Sequence, residues 1–328
     1  MSRVTDRSQI AEARRAAATL AKAGGLDENG SGRVALAATE MATNLLKHAG
    51  GGEVISQLTA DSDGYCIELL SLDGGAGIVD ISRALEDGYS TAGSSGTGLG
   101  AIQRQADRFA IWSRPGLGTA IMARFRLPRR DGPTPGVTLG SVLVPFPGET
   151  TSGDAWSFGA PPAGASLLLA DGLGHGPLAA RAAGAAVDAF AKHGGLDCVS
   201  VARMLHDALR PTRGAALAVA RIDTAQHVVR FVGIGNIAGA MLSEGVCRRM
   251  VSHNGTAGQI APRISEFTYD YTGVPTVIMH SDGLSARWNL DTYPGLAAAH
   301  PSLIAGFLFH MHRRERDDAC VVVMRATP

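Results

Sequence analysis

The sequence predicts an α+β chain of two domains, an α/β sandwich followed by a largely antiparallel sandwich flanked by helices. Three observations lead there. The 328 residues exceed the roughly 150 that one domain averages. Segment 128–136, PRRDGPTPG, has the proline and glycine content of a linker between two strand-like runs. Before it, Ala-rich stretches with helical spacing alternate with strands, and after it strand-like runs dominate. The expected boundaries are 1–129 for the first domain, 130–136 for the linker and 137–328 for the second.

Residues 8–23 and 30–48 read as helices, the second through the spacing of Val34, Ala38, Met41 and Leu45. Runs 54–58 and 65–72 read as strands. A short helix, a Gly/Ser loop, a helix from about Leu99 and two strands through Ala110 and Ala120 complete the first sandwich. Beyond the linker, strands are expected at 139–144, 167–170, 217–222, 228–232, 277–280 and 321–324. Helices are expected at 178–193 and 199–209.

Thirty basic and thirty acidic residues cancel, and no Lys/Arg cluster is interleaved with aromatics. This argues against a nucleic-acid or anionic-membrane partner. Cys66, Cys198, Cys247 and Cys320 show no C-x-x-C spacing, which fits a reducing compartment. MSRVTDRSQIAEARR has no apolar signal core, and no run approaches the ~20 apolar residues of a membrane span. A soluble cytoplasmic chain is expected.

Glu40 and Asn44 stand four apart in EMATNLLKHA, on one face of a helix, with Lys47 and His48 a turn further. A carboxylate can orient or deprotonate a nucleophile and an amide oxygen can complete a Mg²⁺ shell, although the same spacing also describes a solvated polar face. Asp73 opens LDGGAG, where it could accept a hydrogen bond from a purine amine. GSSGTGLG, residues 93–100, leads into a helix and can bring backbone N–H groups against phosphates, although a Gly-rich stretch is equally a flexible turn.

Taken in this order, the E-x-x-x-N helix, the D-x-G-x-G turn, the Gly-rich loop and the late Gly118-Thr119 resemble the GHKL (Bergerat-fold) ATPase superfamily. LEDGYSTAGSSGTGLG and HAGGGEV look like the RsbT-type serine kinases of bacterial partner-switching systems. The resemblance covers about residues 5–127 and implies binding of ATP with Mg²⁺ and phosphorylation of a small STAS-domain protein. It implies Glu40 as catalytic base, Asn44 as Mg²⁺ ligand and Asp73 as adenine anchor. Lys47, Gly75, Gly77, Gly96, Thr97, Gly98, Gly100 and Thr119 would surround the nucleotide. Intact motifs speak for ATP binding more firmly than for phosphoryl transfer, since such catalysis is mostly positioning and charge neutralisation.

The second half spaces its aspartates differently: Asp154 in SGDAW, Asp171 in LLLADGLGHG, Asp282 in IMHSDGL and Asp317-Asp318 in RDDACVVV. Most border apolar runs that read as strands, so their carboxylates would converge at a sheet edge. Any one of them alone reads rather as a cap or turn former, but together they supply the anionic oxygens a hard divalent metal requires. Two such ions roughly 3.5–4 Å apart can activate a water and clamp a phosphate. His310-Met-His312 lacks the other ligands of a zinc site and reads as surface.

GD, ADGLGHG, GIGN, HSDGL and the DD pair follow one another as in the SpoIIE-type branch of the metal-dependent PPM phosphatases, whose RsbX-type members look most similar. That resemblance covers about residues 137–326 and implies a PPM-type α/β-β/α sandwich holding two Mn²⁺ or Mg²⁺ ions. Asp154, Asp171, the Gly172 carbonyl, Asp282 and Asp317 would be the ligands, with Asp318 the adjacent alternative. Asp154 and Asp171 would share the metals. Asn236, near the expected site, reads as structural; His175 reads as a positioned loop histidine, with assistance to a leaving group as the alternative. Two departures stand out: Ala155-Trp156-Ser157 offers no second acid after GD, and Cys320 replaces the usual Thr.

The two resemblances imply a bifunctional enzyme that removes phosphate from STAS-domain (RsbS/RsbR-like) proteins of the stressosome, with an N-terminal domain able to install it. A sigma-factor regulator is a further partner they suggest. The alternative is a non-catalytic, anti-sigma-like first domain that binds ATP and a partner and tethers an active phosphatase.

Overall fold

The computed structural model describes residues 1–61, 64–86, 98–128, 136–161 and 164–327. The chain forms two compact units. In unit 1, strands β1 (Ser2–Val4), β2 (Gly52–Asp61), β3 (Gly64–Asp73), β4 (Arg108–Arg114) and β5 (Gly118–Arg126) form one sheet in the order β1-β2-β3-β5-β4. Neighbouring strands are antiparallel throughout. Helices α1 (Ser8–Ala23) and α2 (Glu28–Asn44) bury Ala13, Ala17, Val34, Ala38 and Met41 in one core with Ile67, Leu69, Ile121 and Phe125 of the sheet. The i, i+3 and i, i+4 spacing of these helix residues is what places them on one face.

Asp27 caps α2 by accepting the Gly30 N–H. The helix continues as a π-helical turn over Leu45–Ala49 and stops at Gly50, whose φ of 72° suits glycine. Two shorter helices, α3 (Ile81–Ala84) and α4 (Gly98–Gln105), follow.

Unit 2 packs two sheets face to face. The first contains β7 (Asp154–Gly159), β8 (Gly164–Gly172), β9 (Ala215–Asp223), β10 (Val228–Ile234) and β13 (Phe267–Asp270). The second contains β6 (Val137–Val144), β11 (Ala238–Ser243), β12 (Val246–Met250), β14 (Thr276–His280) and β15 (Ala319–Ala326). Leu167, Leu169 and Phe231 of the first sheet share a core with Leu139, Met241, Met279 and Val322 of the second. Helices α5 (Pro177–His193) and α6 (Cys198–Leu209) cover the first sheet through Ala182, Ala186, Phe190, Val201 and Leu205.

One segment departs from the boundaries read in the sequence. Residues Asn289–Met311 belong to unit 1 with Met1–Thr134, whereas the sequence suggested an unbroken second domain from 137. The expected linker 130–136 lies, except for Gly136, outside the described residues. The segment ends in helix α7 (Pro301–His312), whose residues from Pro301 to Phe309 are all buried. Trp112 of β4 packs edge-on against Phe307 at 4.5 Å between ring centroids and donates its indole N–H to the Pro294 carbonyl at 3.1 Å. Beneath it, buried Glu68 accepts from Arg124 Nε and from Ser302 Oγ, both at 2.7 Å. His310, expected at the surface, is half-buried beside Glu53 because this helix is apolar on nearly every side.

All four cysteines are free thiols; Cys66, Cys198 and Cys320 are buried and Cys247 is partly exposed. Burial pushes the Cys198 thiol up to about 12, so it behaves as a small apolar side chain.

Candidate functional site

In unit 1, Glu40 and Asn44 point from α2 toward the start of α4. A Cβ added at Gly98 would sit 3.0 Å from Asn44 Oδ1 and 3.5 Å from Glu40 Oε2, so glycine there lets the α4 N-terminus approach both polar ends. Gly100 is buried one turn into α4. Gly96 and Thr97 fall outside the described residues.

Asp73 ends β3, opposite Thr119 of β5, and its Oδ1 accepts the Gly75 N–H at 2.9 Å. Burial raises its pKa, opposed by the Gly75 and Thr119 N–H groups and by the charge of His310 and His48. Gly77 (φ 70°) and Gly118 (φ 94°) make the turn possible. A Cβ on Gly77 would fall 2.0 Å from the Arg114 carbonyl, and one on Gly118 would fall 2.0 Å from that of Asp73. Thr119 Oγ1 is 2.9 Å from Ser113 Oγ. Lys47 lies exposed on the π-helical turn. A surface groove at the other end of α2, lined by Asp27, Glu28, Arg33 and Gln105, is separate from these groups.

In unit 2, the aspartates gather where edges of both sheets meet. Asp154 opens β7 directly opposite Asp171 at the end of β8; Asp282 follows β14 and Asp318 precedes β15. Asp154 is 2% exposed and Asp318 4%, so these carboxylates are withdrawn from water. Gly153 makes the room: a Cβ there would lie 2.8 Å from Asp318 Oδ2. A Cβ on Gly172 would fall 2.2 Å from the Ala179 carbonyl, which seats the Asp171 loop on α5.

Burial pushes Asp154 and Asp171 well above the carboxylate range, and the surrounding aspartates push them further. Asp317 is raised by burial and by Asp282. The two members of the acidic pair occupy different settings. Of the neighbouring carboxylates Asp282 acts most strongly on Asp317 and Asp318 most strongly on Asp154, and Asp318 accepts the Phe146 N–H on Oδ1 at 2.8 Å.

Two further groups orient these carboxylates. Ser281, which sequence reasoning passed over, donates to Asp154 Oδ2 at 2.6 Å while its Oγ accepts the Cys320 N–H at 3.0 Å. The signal was present as the residue before Asp282 in HSDG. Asn236 donates to Asp282 Oδ2 at 2.7 Å. His175 lies on an exposed loop, stacked on Phe146 at 4.4 Å and 3.3 Å from Glu149.

Asp154 Oδ1 and Asp318 Oδ2 are buried and, among the described residues, have no hydrogen-bond partner. Orphaned anionic oxygens at such a cluster fit hard divalent cations, which bind carboxylates and relieve their repulsion. Among the described residues no three acidic, histidine or cysteine side chains stand close enough together to hold a metal ion as they are placed. Ala155, Trp156 and Ser157, which follow Asp154, carry no carboxylate.

Residues 4–125 match the Histidine kinase-like ATPase domain family, and residues 161–327 match the Stage II sporulation protein E (SpoIIE) family. The serine/threonine-protein kinase RsbT of Bacillus subtilis (strain 168) is 34% identical over 121 residues, which is 37% of this chain and 91% of RsbT. A solved structure described as "The bacterial stressosome: a modular system that has been adapted to control secondary messenger signaling" aligns with a TM-score of 0.54 at 27% identity. It covers 58% of this chain and 99% of its own. RsbX in complex with magnesium aligns with a TM-score of 0.52 at 19% identity, over 58% of this chain and 96% of RsbX, a likeness of fold. No helix among the described residues is long and apolar enough to cross a membrane.

Proposed function

We propose, for a chain that belongs to the Stage II sporulation protein E family and carries a histidine kinase-like ATPase domain ahead of the matched region, a metal-dependent serine/threonine protein phosphatase joined to an ATP-binding kinase-like domain. The joined parts are those of partner-switching systems: an RsbT-related domain and a PP2C-type phosphatase domain. The substrate we infer is a phosphoserine or phosphothreonine on a STAS-domain antagonist protein in the cytoplasm, and the same class of protein is the acceptor for the first domain.

The observation that carries this reading is the convergence of Asp154, Asp171, Asp282, Asp317 and Asp318 at the meeting edges of two sheets, with two carboxylate oxygens buried and unpartnered. Asp154 and Asp171 would hold both Mn²⁺ or Mg²⁺ ions, the Gly172 carbonyl would add a neutral oxygen, and Asp282 with Asp317 would complete the second position. Such ions, when bound, supply charge neutralisation of the phosphate and activation of water for in-line attack at phosphorus.

The chain's own residues then set the geometry. Ser281 fixes the Asp154 carboxylate and favours its ionised form. Asn236 holds Asp282 by one oxygen. Asp318, tied to the Phe146 N–H, adds negative charge beside Asp154. In unit 1, Glu40 and Asn44 facing Gly98 support an ATP·Mg²⁺ site with Glu40 as base and Asn44 as metal ligand.

Full-length protein with Mn²⁺ is expected to dephosphorylate a phosphorylated STAS-domain protein, read by mass, and Asp171→Asn to reduce the rate at least 100-fold. With ATP and unphosphorylated STAS protein, mass should rise by one phosphate in wild type and not in Glu40→Ala. An unchanged phosphoprotein, or an Asp171→Asn variant as fast as wild type, would sink the phosphatase reading.

A further inference from the structure

Helix α7 lies in sequence between Asp282 and Asp317, inside the stretch matched by the Stage II sporulation protein E family, yet it is part of unit 1. It packs on the strand that ends in Asp73. Gly306 sits so near this strand that a Cβ on it would approach Leu72 Cδ2 to 2.9 Å and Leu70 Cδ1 to 3.5 Å.

One turn later comes His310. Its Nδ1 shares a hydrogen bond with Glu53 Oε2; Glu53 is 4% exposed and stands opposite Leu72 in the β2–β3 register. The other ring nitrogen, Nε2, lies 3.7 Å from the place a Cβ on Gly74 would occupy. The imidazole is thus anchored at one nitrogen by a buried carboxylate, and its other nitrogen faces the Asp73–Gly75 turn.

That turn has a demanding task if it receives a nucleotide base. Asp73 must stay ionised to accept from an exocyclic amine, although its burial favours the neutral acid. It must also keep one orientation, because a misplaced acceptor in a buried site loses most of its hydrogen bond. The Gly75 N–H secures Oδ1 from one side of the turn. His310 Nε2 lies next to Gly74, which stands between Asp73 and Gly75 in the turn.

We propose that His310 is a positioning residue of the nucleotide pocket, holding the Asp73–Gly75 turn for the base through its link to Glu53. The pocket of the first unit therefore depends on a side chain from the phosphatase part of the sequence. This rests on the reading of Asp73 as the base acceptor.

The test measures calorimetric affinities of the full chain for ATP and for ITP, which lacks the exocyclic amine, using wild type, His310→Ala, His310→Asn and Asp73→Asn. His310→Ala should weaken ATP about 10-fold, the effect of one lost positioning hydrogen bond, and should bring the ATP:ITP preference toward one. His310→Asn keeps an amide near the Nδ1 position and should recover part of that preference; it also stands in if His310→Ala does not fold.

If Asp73→Asn abolishes ATP binding while His310→Ala binds as wild type, the proposal fails and the pocket reading survives. Equal weakening of ATP and ITP by His310→Ala would make the residue a packing contact and also overturn the proposal. If Asp73→Asn binds ATP as wild type, the base-acceptor reading itself is wrong and the proposal falls with it.

Discussion

Ser281 illustrates how one hydroxyl can decide the behaviour of a charged cluster. It lies fully buried between two strands and satisfies one oxygen of Asp154, while the other has no hydrogen-bond partner among the described residues. Groups that orient metal ligands typically contribute 10–100-fold in metal affinity. Ser281→Ala is expected to weaken Mn²⁺ by about that factor in a calorimetric titration, and unchanged affinity would show that Asp154 needs no such support. Asp171 allows a second measurement. Burial and neighbouring carboxylates raise it to about 9 in the folded chain, so between the ordinary carboxylate range and that value the folded state holds a proton that the unfolded state releases. In chelator, wild-type stability should fall as pH rises across this window, whereas Asp171→Asn should follow a flatter profile. Mn²⁺ should reverse the wild-type trend, because it binds the ionised cluster. Melting temperatures of both proteins from pH 5 to 9 read the difference directly. The aspartates themselves were legible in the sequence, since carboxylates beside apolar runs mark strand ends. The hydrogen bonds that orient them were not, because Ser281, Asn236 and Phe146 come from separate strands and loops brought together only by the fold.

At the scale of elements, legibility followed amphipathicity. Helices α2, α5 and α6 have one apolar face and one polar face; the spacing of Val34, Ala38 and Met41 located the first in the sequence, and Ala-rich helical segments located the other two. Helix α7 could not be found that way: PSLIAGFLF is apolar on every side, and a helix buried all round carries no periodic signal. Strand β7, DAWSFG, was equally silent because it lacks a run of β-branched residues. The Bergerat-type sandwich followed by a PPM-type sandwich, both expected from motif order, is the fold the chain adopts. Helix α7 is also where a single truncation should be most costly. Phe307 is fully buried and touches the rings of Trp112 and Tyr293. Phe307→Ala is expected to cost about 3–5 kcal/mol, measured by denaturant unfolding of the full chain. A loss below about 1 kcal/mol would mean that α7 is only loosely held.

For the molecule as a whole, the exchange of Asn289–Met311 makes unit 1 discontinuous in sequence. Residues 1–134 alone would uncover Leu70, Leu72, Met122 and Trp112 together with the buried Glu68–Arg124 pair. An unpartnered apolar surface that carries charges designed for burial is prone to association. The fragment is expected to aggregate or to lose cooperative unfolding, as read by light scattering and thermal melts. A monomeric, sharply melting fragment would show that the segment is dispensable.

The same discontinuity sets an order of events during synthesis. Chains emerge from the ribosome N-terminus first, and a domain folds once its last necessary residue is free. Here that residue belongs to α7, which leaves the ribosome after nearly all the phosphatase strands. The five strands of the first sheet are all present by Arg126, but the segment that covers them is not, and the first unit to begin translation is not finished until the second is almost complete.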